Sequence, residues 1–507
     1  MSNSANQLVS ITRGRGIRYP SPADHSPSET FPEYPFGRTK LSSSNEVYGL
    51  VRQCLRDFGC DEEYFGTSRW NPLGTWIQKG QRVVVLPNFV VHRRPWESLE
   101  RFSAKCTHSS VLRAVMDYAM IATGDPALVS FGNAPLQGCD HERVAAETGA
   151  TSLSAFYSEV AGVNPGPHDF RLLKSRWTNF GAQTGVEELS QDDAISIDLG
   201  GASWLEELYA NRTDVHVRVG DYPPSKTEAC HGKGKHVYII NRRVLEADVI
   251  ISVPKLKTHE KVGITCALKG TVGTIARKEC LAHHRLGSPE RNGDEFPSAG
   301  FLRDLSSNMS ETACTLGTDV GANAYRVASK VLNRVVRLGP NGVSYGAWHG
   351  NDTAWRMALD IARLLRFGRI DGSIAEHPVR SHLALVDGVV AGEGEGPLAP
   401  RARECGAILF GPDVCAVDHA CARVMGFDPQ RIKLVHHSFS RVFPTITDSN
   451  PSEIVLRLNG QAVQPEELSA AFSPGFRPPK GWVGEIEWSG PDRAADVDRG
   501  DGVDARA

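Results

Sequence analysis

Residues 247–297 read ADVIISVPKLKTHEKVGITCALKGTVGTIARKECLAHHRLGSPERNGDEFP, and this stretch decides the fold. It opens with Val249, Ile250, Ile251, Ser252 and Val253, a β-branched run of the kind that forms a strand buried on both faces. Pro254 ends the run. If the chain stays extended past the proline, alternation sets Lys255, Lys257 and His259 on one side and Leu256 and Thr258 on the other. Cations and an imidazole gathered at a strand end lower one another's proton affinity. Open α/β sheets bind ligands beyond the carboxyl ends of their strands, so an anion or a reacting proton is expected there.

Thr265 and Lys269 follow one helical turn apart, then Gly270 and Gly273, whose missing side chains let backbone amides approach a ligand. His283 and His284 come next, and Asp294 and Glu295 close the stretch. The expected catalytic set is His259 as general base, Lys257 and Lys269 on a carboxylate or phosphate, and Asp294 orienting an imidazole. Lys255, Thr265, Gly270 and Gly273 would add contacts to a bound cofactor or anion. His283, His284 and Glu295 would ligate a divalent metal, or one histidine would act as an acid. The plain structural reading is that strand-end lysines are solvated and that a pair of histidines marks a surface loop, since perturbed clusters also arise structurally.

Outward from this stretch, strands and helices alternate. GQRVVVLPNFVV at 80–91 reads as a buried strand ending at Pro87 and Asn88, 107–120 as a capped helix, and ALVSFGNAPLQG at 127–138 as the next strand. Further strands are expected at 194–201 and 215–219, and helices at 151–161, 309–338 and 353–365. Asn351 or Asp352 would cap the last of these, and Arg356 and Asp360 would pair at i, i+4. A late strand, SHLALVDGVV, ends in Asp387 and Gly388, and AGEGEGPLAP follows as an acidic glycine-rich loop suited to a metal or a hydroxyl-rich ligand. Asp413 and Asp418 flank a helix start; Asp387 and Asp418 join the expected cofactor contacts. The fold class is therefore α/β, a mainly parallel sheet with helices on both faces. An irregular N-terminal arm over 1–45 begins with the short strand LVSITR. One domain in one or two lobes covers 46–489, and a disordered tail covers 490–507.

The 507 residues carry a net charge of -3, so no global basic field points to nucleic acid. No apolar run approaches the ~20 residues that span a bilayer, and a soluble, cytoplasmic protein with a small anionic partner and no membrane partner is expected. The 11 cysteines show no cluster or zinc spacing; most read as buried small hydrophobes. A Cys/His site assembled from Cys230, His231 and His236 stays open as an alternative.

The phrases ADVIISVPKLKTH, ITCALKGTVG, LVDGVVAGEGEGP and PDVCAVDHACARVMGFDP resemble domain-of-unknown-function family 362, over about 83–429. The resemblance implies the fold and a Lys/His site. Many members carry a ferredoxin-like insert whose cysteines hold iron–sulfur clusters. This chain lacks those cysteine runs, and a cluster of its own is not expected. The order His259, Lys269 and His283 or His284 is also similar to the nickel-dependent lactate racemase family. There the lysine carries a pincer nucleotide, though Ala267 and Leu268 stand here in place of that family's glycine pair. Two functions are open: an isomerase-like or metal-assisted acid–base enzyme acting on a small hydroxylated anion, or a carrier or maturation protein that binds an anionic cofactor or nucleotide without turnover.

Overall fold

The computed structural model describes residues 7–490 apart from 38–40, 43–44, 179–181, 190–193, 211, 213, 221, 340–341 and 443. The expected tail after Gly490 lies outside the described residues. Eleven strands make one large sheet. In chain order they are β1 (Leu8–Arg13), β2 (Val83–Pro87), β3 (Val129–Asn133), β4 (His168–Asp169), β5 (Val249–Val253), β6 (Lys255–His259), β7 (Gly263–Ile264), β8 (Ser381–Glu395), β9 (Ala399–Gly411), β10 (Val455–Leu458) and β11 (Gln461–Val463). The spatial order is β11-β10-β1-β9-β8-β5-β2-β3-β4, with β6 paired to β8 and β7.

The sheet is mixed and mostly parallel. It runs parallel from β8 through β5, β2 and β3 to β4 and turns antiparallel across the β8–β9 hairpin. Every residue of β5 is buried, because both faces are covered. Val83, Val85, Ile251 and Val253 pack with α1 (Glu46–Phe58) and α2 (Ser109–Thr123). The alternate residues Val84, Leu86 and Ile250 pack on the opposite face, towards α6 (Ala354–Phe367), with α7 (Val414–Val424) beside it. Helices therefore lie on both faces, as the sequence implies.

Two local readings change and one open choice is decided. The apolar pattern over 309–338 is two helices, α4 (Phe301–Leu316) and α5 (Val320–Leu338). Gly317 takes a φ of 88°, and the Asp319 carboxylate accepts from the Ala322 amide at 2.6 Å to start the second helix. Asn351, rather than Asp352, receives the first amides of α6, at 3.0 Å from Thr353 and 2.9 Å from Ala354. Arg356 turns back to Asp352 at 3.1 Å, while Asp360 accepts from Ser203, Tyr238 and the Trp204 amide, so the expected Arg356–Asp360 pair does not form.

The late strand does not stop at Asp387. AGEGE continues as the outer half of β8, paired with β9 from Val390 to Glu395. Glu393 meets Arg403 at 3.3 Å and Glu395 accepts the Lys480 amide at 2.7 Å. These carboxylates hold a hairpin; they do not form a ligand loop. The strand LVSITR forms as expected, and as β1 it lies between β9 and β10 inside the sheet.

Candidate functional site

Strand β2 is followed in space by β3 and β4 on one side, and by β5 and β8 on the other. The chain order reverses between β2 and β5, and a crevice opens beyond the carboxyl ends of the strands at such a switch point. Here the crevice is a cavity of about 420 Å³. Asn88 comes to it from the end of β2, Asn133 from the end of β3, Lys257 and His259 from β6, and Thr265 and Lys269 from the short helix α3 (Cys266–Gly270). Lys261, Lys278 and His283 complete the polar wall, and Ser310, Lys330 and Arg337 reach it from α4 and α5. Phe89, Val90, Leu136, Val219, Val272 and Leu281 give it a broad apolar side.

Local packing explains how the charges are held. Lys257 Nζ donates to Asn88 Oδ1 and, at 2.6 Å, to the Lys105 carbonyl. Lys261 Nζ donates to the Tyr345 carbonyl, and Lys278 Nζ to the Val272 carbonyl at 2.9 Å. Helix α3 presents Thr265 and Lys269 one turn apart, with the Lys269 amide bonded to the Thr265 carbonyl at 3.2 Å. The Asp418 carboxylate, on α7, anchors that helix from behind by accepting the Ala267 and Leu268 amides at 2.7 and 3.0 Å. Thr265 Oγ1 is buried and has no hydrogen-bond partner among the described residues.

Burial lowers the lysines' proton affinity, to about 7 for Lys257, Lys269 and Lys278 and about 8 for Lys261. For Lys269 the Lys261 ammonium adds to the effect. Burial, reinforced by Lys269, also holds His259 and His283 well below the usual imidazole range, so both rings are neutral at pH 7. The two imidazoles are not equivalent. His259 Nδ1 accepts the Lys261 amide at 3.1 Å, which leaves the proton on Nε2. A hydrogen bond with the Val219 backbone favours the protonated His283 ring, so that ring donates there and its other nitrogen remains an acceptor.

The residues named from the sequence separate into two groups. Lys257, His259, Thr265, Lys269, Gly270, Gly273 and His283 share the cavity. Gly273 owes its lack of a side chain to a neighbour: a Cβ there would sit 2.1 Å from Asn133 Nδ2. Lys255 leaves the set because the pairing of β6 with β8 shifts register between Lys255 and Lys257. Its ammonium lies 3.1 Å from Asp387, and Tyr19 OH bridges the two groups from the arm. Asp387 is therefore also committed away from the cavity.

His284 parts from His283: it does not line the cavity, and its ring lies near that of Tyr345, at 6.3 Å. Asp294 accepts from the Arg285 amide, the Asp352 amide and Thr353 Oγ1 at 2.6, 3.0 and 2.6 Å. Glu295 accepts from Ser307 Oγ at 2.8 Å and from the Gly287 amide at 3.2 Å. Both carboxylates thus knit backbone segments together and orient no histidine. Nor do His283, His284 and Glu295 converge as a ligand set.

Among the described residues one group has metal-ligand spacing, Cys266, Asp418 and Cys421, whose ligand atoms lie within 4.8 Å of one another and could hold a metal ion. Both Asp418 oxygens already serve α3, and burial raises both thiols, which disfavours the thiolates a metal needs. His231 and His236 do meet, with Nδ1 atoms 3.4 Å apart, but their other nitrogens face the Cys280 carbonyl and Glu206. All 11 cysteines are free. A second cavity, of about 460 Å³, opens beside the amino end of β8. Its Arg380 is fixed by the carbonyls of Leu245, Ala247, Leu365 and Gly368, and its Asp413 by Thr447 and Ser449.

Sequence reasoning missed Lys261, Lys278, Asn88 and Asn133. The two lysines were in plain view within 247–297, and Asn88 was already marked as a strand end; Asn133 gave no comparable signal. Fold and site together define an open α/β protein with a cationic cavity at its topological switch point. Residues 205–423 match the family model described as domain of unknown function (DUF362). The match contains the cavity residues from Val219 to Arg337 and all of β5 to β8. No curated protein and no solved structure matches the chain, and the likeness to nickel-dependent lactate racemases finds no support in these comparisons.

Proposed function

We propose that this chain is an enzyme that binds a small organic carboxylate or phosphate in the switch-point cavity and moves a proton on it. One observation carries the reading: Lys257, Lys261, Lys269, Lys278, His259 and His283 face one cavity in which Glu260 is the sole carboxylate among the described lining residues. Buried positive charge without matching negative charge is costly, and an anionic ligand offsets it. His259 Nε2–H is a donor to a ligand oxygen, and His283 is the base, the reverse of the order expected from sequence. A cation among these ammonium groups is disfavoured, so a metal at His283 has no support. The apolar side formed by Phe89, Leu136 and Leu281 favours an anion with a hydrocarbon portion over a polyhydroxylated sugar acid.

The test is proton exchange in D2O on a panel of 2-oxo and 2-hydroxy carboxylates and phosphate esters, followed by NMR. The wild type should exchange a carbon-bound proton of at least one ligand. His283→Gln should slow this by about 100-fold or more. Affinity should improve as pH falls from about 8 to 6, because the lysines gain charge over that interval. Saturable binding without exchange would favour the carrier reading. Absence of saturable binding to any of these anions would overturn both.

A further inference from the structure

The cavity lysines differ in one respect. Lys257, Lys261 and Lys278 each donate from Nζ to a protein oxygen, whereas Lys269 Nζ has no acceptor and no carboxylate beside it among the described residues. It stands on a short helix clamped from behind by Asp418, so its backbone is fixed at the cavity wall. Thr265 Oγ1, one turn earlier, is likewise buried without a partner, and both residues line the cavity with the two imidazoles. A buried amine beside another cation, with no protein acceptor, has the surroundings of an imine-forming lysine.

Resting on the anion-site reading above, we propose that Lys269 is a nucleophile that forms an imine with an aldehyde or ketone carbonyl of the bound organic anion. The Lys269 nitrogen attacks the carbonyl carbon, a C–N bond forms, and the carbonyl electron pair moves to oxygen, which accepts a hydrogen bond from His259 Nε2–H. His283 takes a proton from the new ammonium and delivers it to the oxygen. A second proton, taken up from solvent, goes to the hydroxyl as the C–O bond breaks; water leaves as the C=N bond forms, and nitrogen keeps its remaining hydrogen. Carbonyl, amine and one proton give the protonated imine plus water, with no oxidant or reductant. The protonated imine is then an electron sink that eases removal of a proton from the adjacent carbon, and hydrolysis returns the amine. Lys257, Lys261 and Lys278 stay as charges for the carboxylate or phosphate, and Thr265 Oγ1 is placed to donate to it.

Burial makes Lys269 half neutral near pH 7, against roughly one part in 2,500 for an exposed lysine, so the site should stand out chemically by a few hundred-fold or more. The experiment traps the imine: the full chain is incubated with glyoxylate and sodium cyanoborohydride near pH 7 and analysed by peptide mass spectrometry. The expected result is one carboxymethyl group per chain on Lys269, formed at least about 100-fold faster than on exposed lysines. Its rate should level off above about pH 7, where an ordinary lysine keeps accelerating to its own pKa near 10.4. Lys269→Met should remove the adduct, and Lys235→Met, at an exposed position outside the cavity, should retain it. Labelling spread over surface lysines, or an adduct on Lys257 or Lys278 in place of Lys269, would overturn the proposal. If anions bind saturably but no adduct forms on Lys269, the imine fails and the anion site stands. If neither occurs, the anion-site reading has failed first.

Discussion

Replacing Lys269 by methionine should stabilise the fold, and the gain should depend on pH. The ammonium is buried without an acceptor, and burial with the nearby Lys261 charge takes its proton affinity from 10.5 to about 7. That drop corresponds to about 5 kcal/mol between the charged and neutral amine, an upper figure that water entering the cavity reduces. A gain of about 2–4 kcal/mol for Lys269→Met is expected near pH 6. The folded-state pKa lies below the unfolded one. Between the two, the unfolded chain holds the extra proton, and wild-type stability rises with pH. The variant's advantage should therefore be full below about pH 7, shrink above it, and vanish near 10.5, as urea midpoints at constant ionic strength would show. A variant no more stable than the wild type near pH 6 would refute the reasoning. An advantage that persists unchanged to high pH would mean that packing, not charge, is responsible.

Tyr19→Phe should cost about 1–3 kcal/mol in urea denaturation, because the hydroxyl bridges Lys255 and Asp387 and accepts the Val390 amide at 3.2 Å, all in a buried setting. Asp418→Ala should orphan the Ala267 and Leu268 amides at a cost of about 2 kcal/mol by the same assay, and should weaken phosphate binding measured by calorimetry, since α3 would lose the clamp that aims Thr265 and Lys269.

The central strand and its ligand-bearing end were readable because a continuous β-branched run and a following proline are local signals: β5 is buried throughout, and Lys257, His259 and Lys269 meet where α/β sheets bind ligands. What escaped was non-local. A register shift against β8 turns Lys255 from the cavity to Asp387, and no pattern within 255–259 announces it. Asp294 and Glu295 sit next to the histidines in sequence, yet their oxygens go to the amides of Arg285, Asp352 and Gly287 and to the hydroxyls of Thr353 and Ser307. The acidic glycines at 391–396 looked like a loop because small residues mark turns. In β8 they serve close approach instead: a Cβ on Gly392 would lie 2.8 Å from the Ala104 carbonyl.

Strand β1 joins parts of the molecule that are remote along the chain. It pairs with residues 407–410 on one edge and 455–458 on the other, and the Arg13 amide donates to Asn459 Oδ1 across 446 residues. Until β9 and β10 have been synthesised, this segment has no strand partners. Removing it would leave two facing strand edges bare in the middle of the sheet. A peptide of residues 7–13 supplied separately would then be the natural plug for that gap, and chains that exchanged this strand would be tethered as a swapped pair.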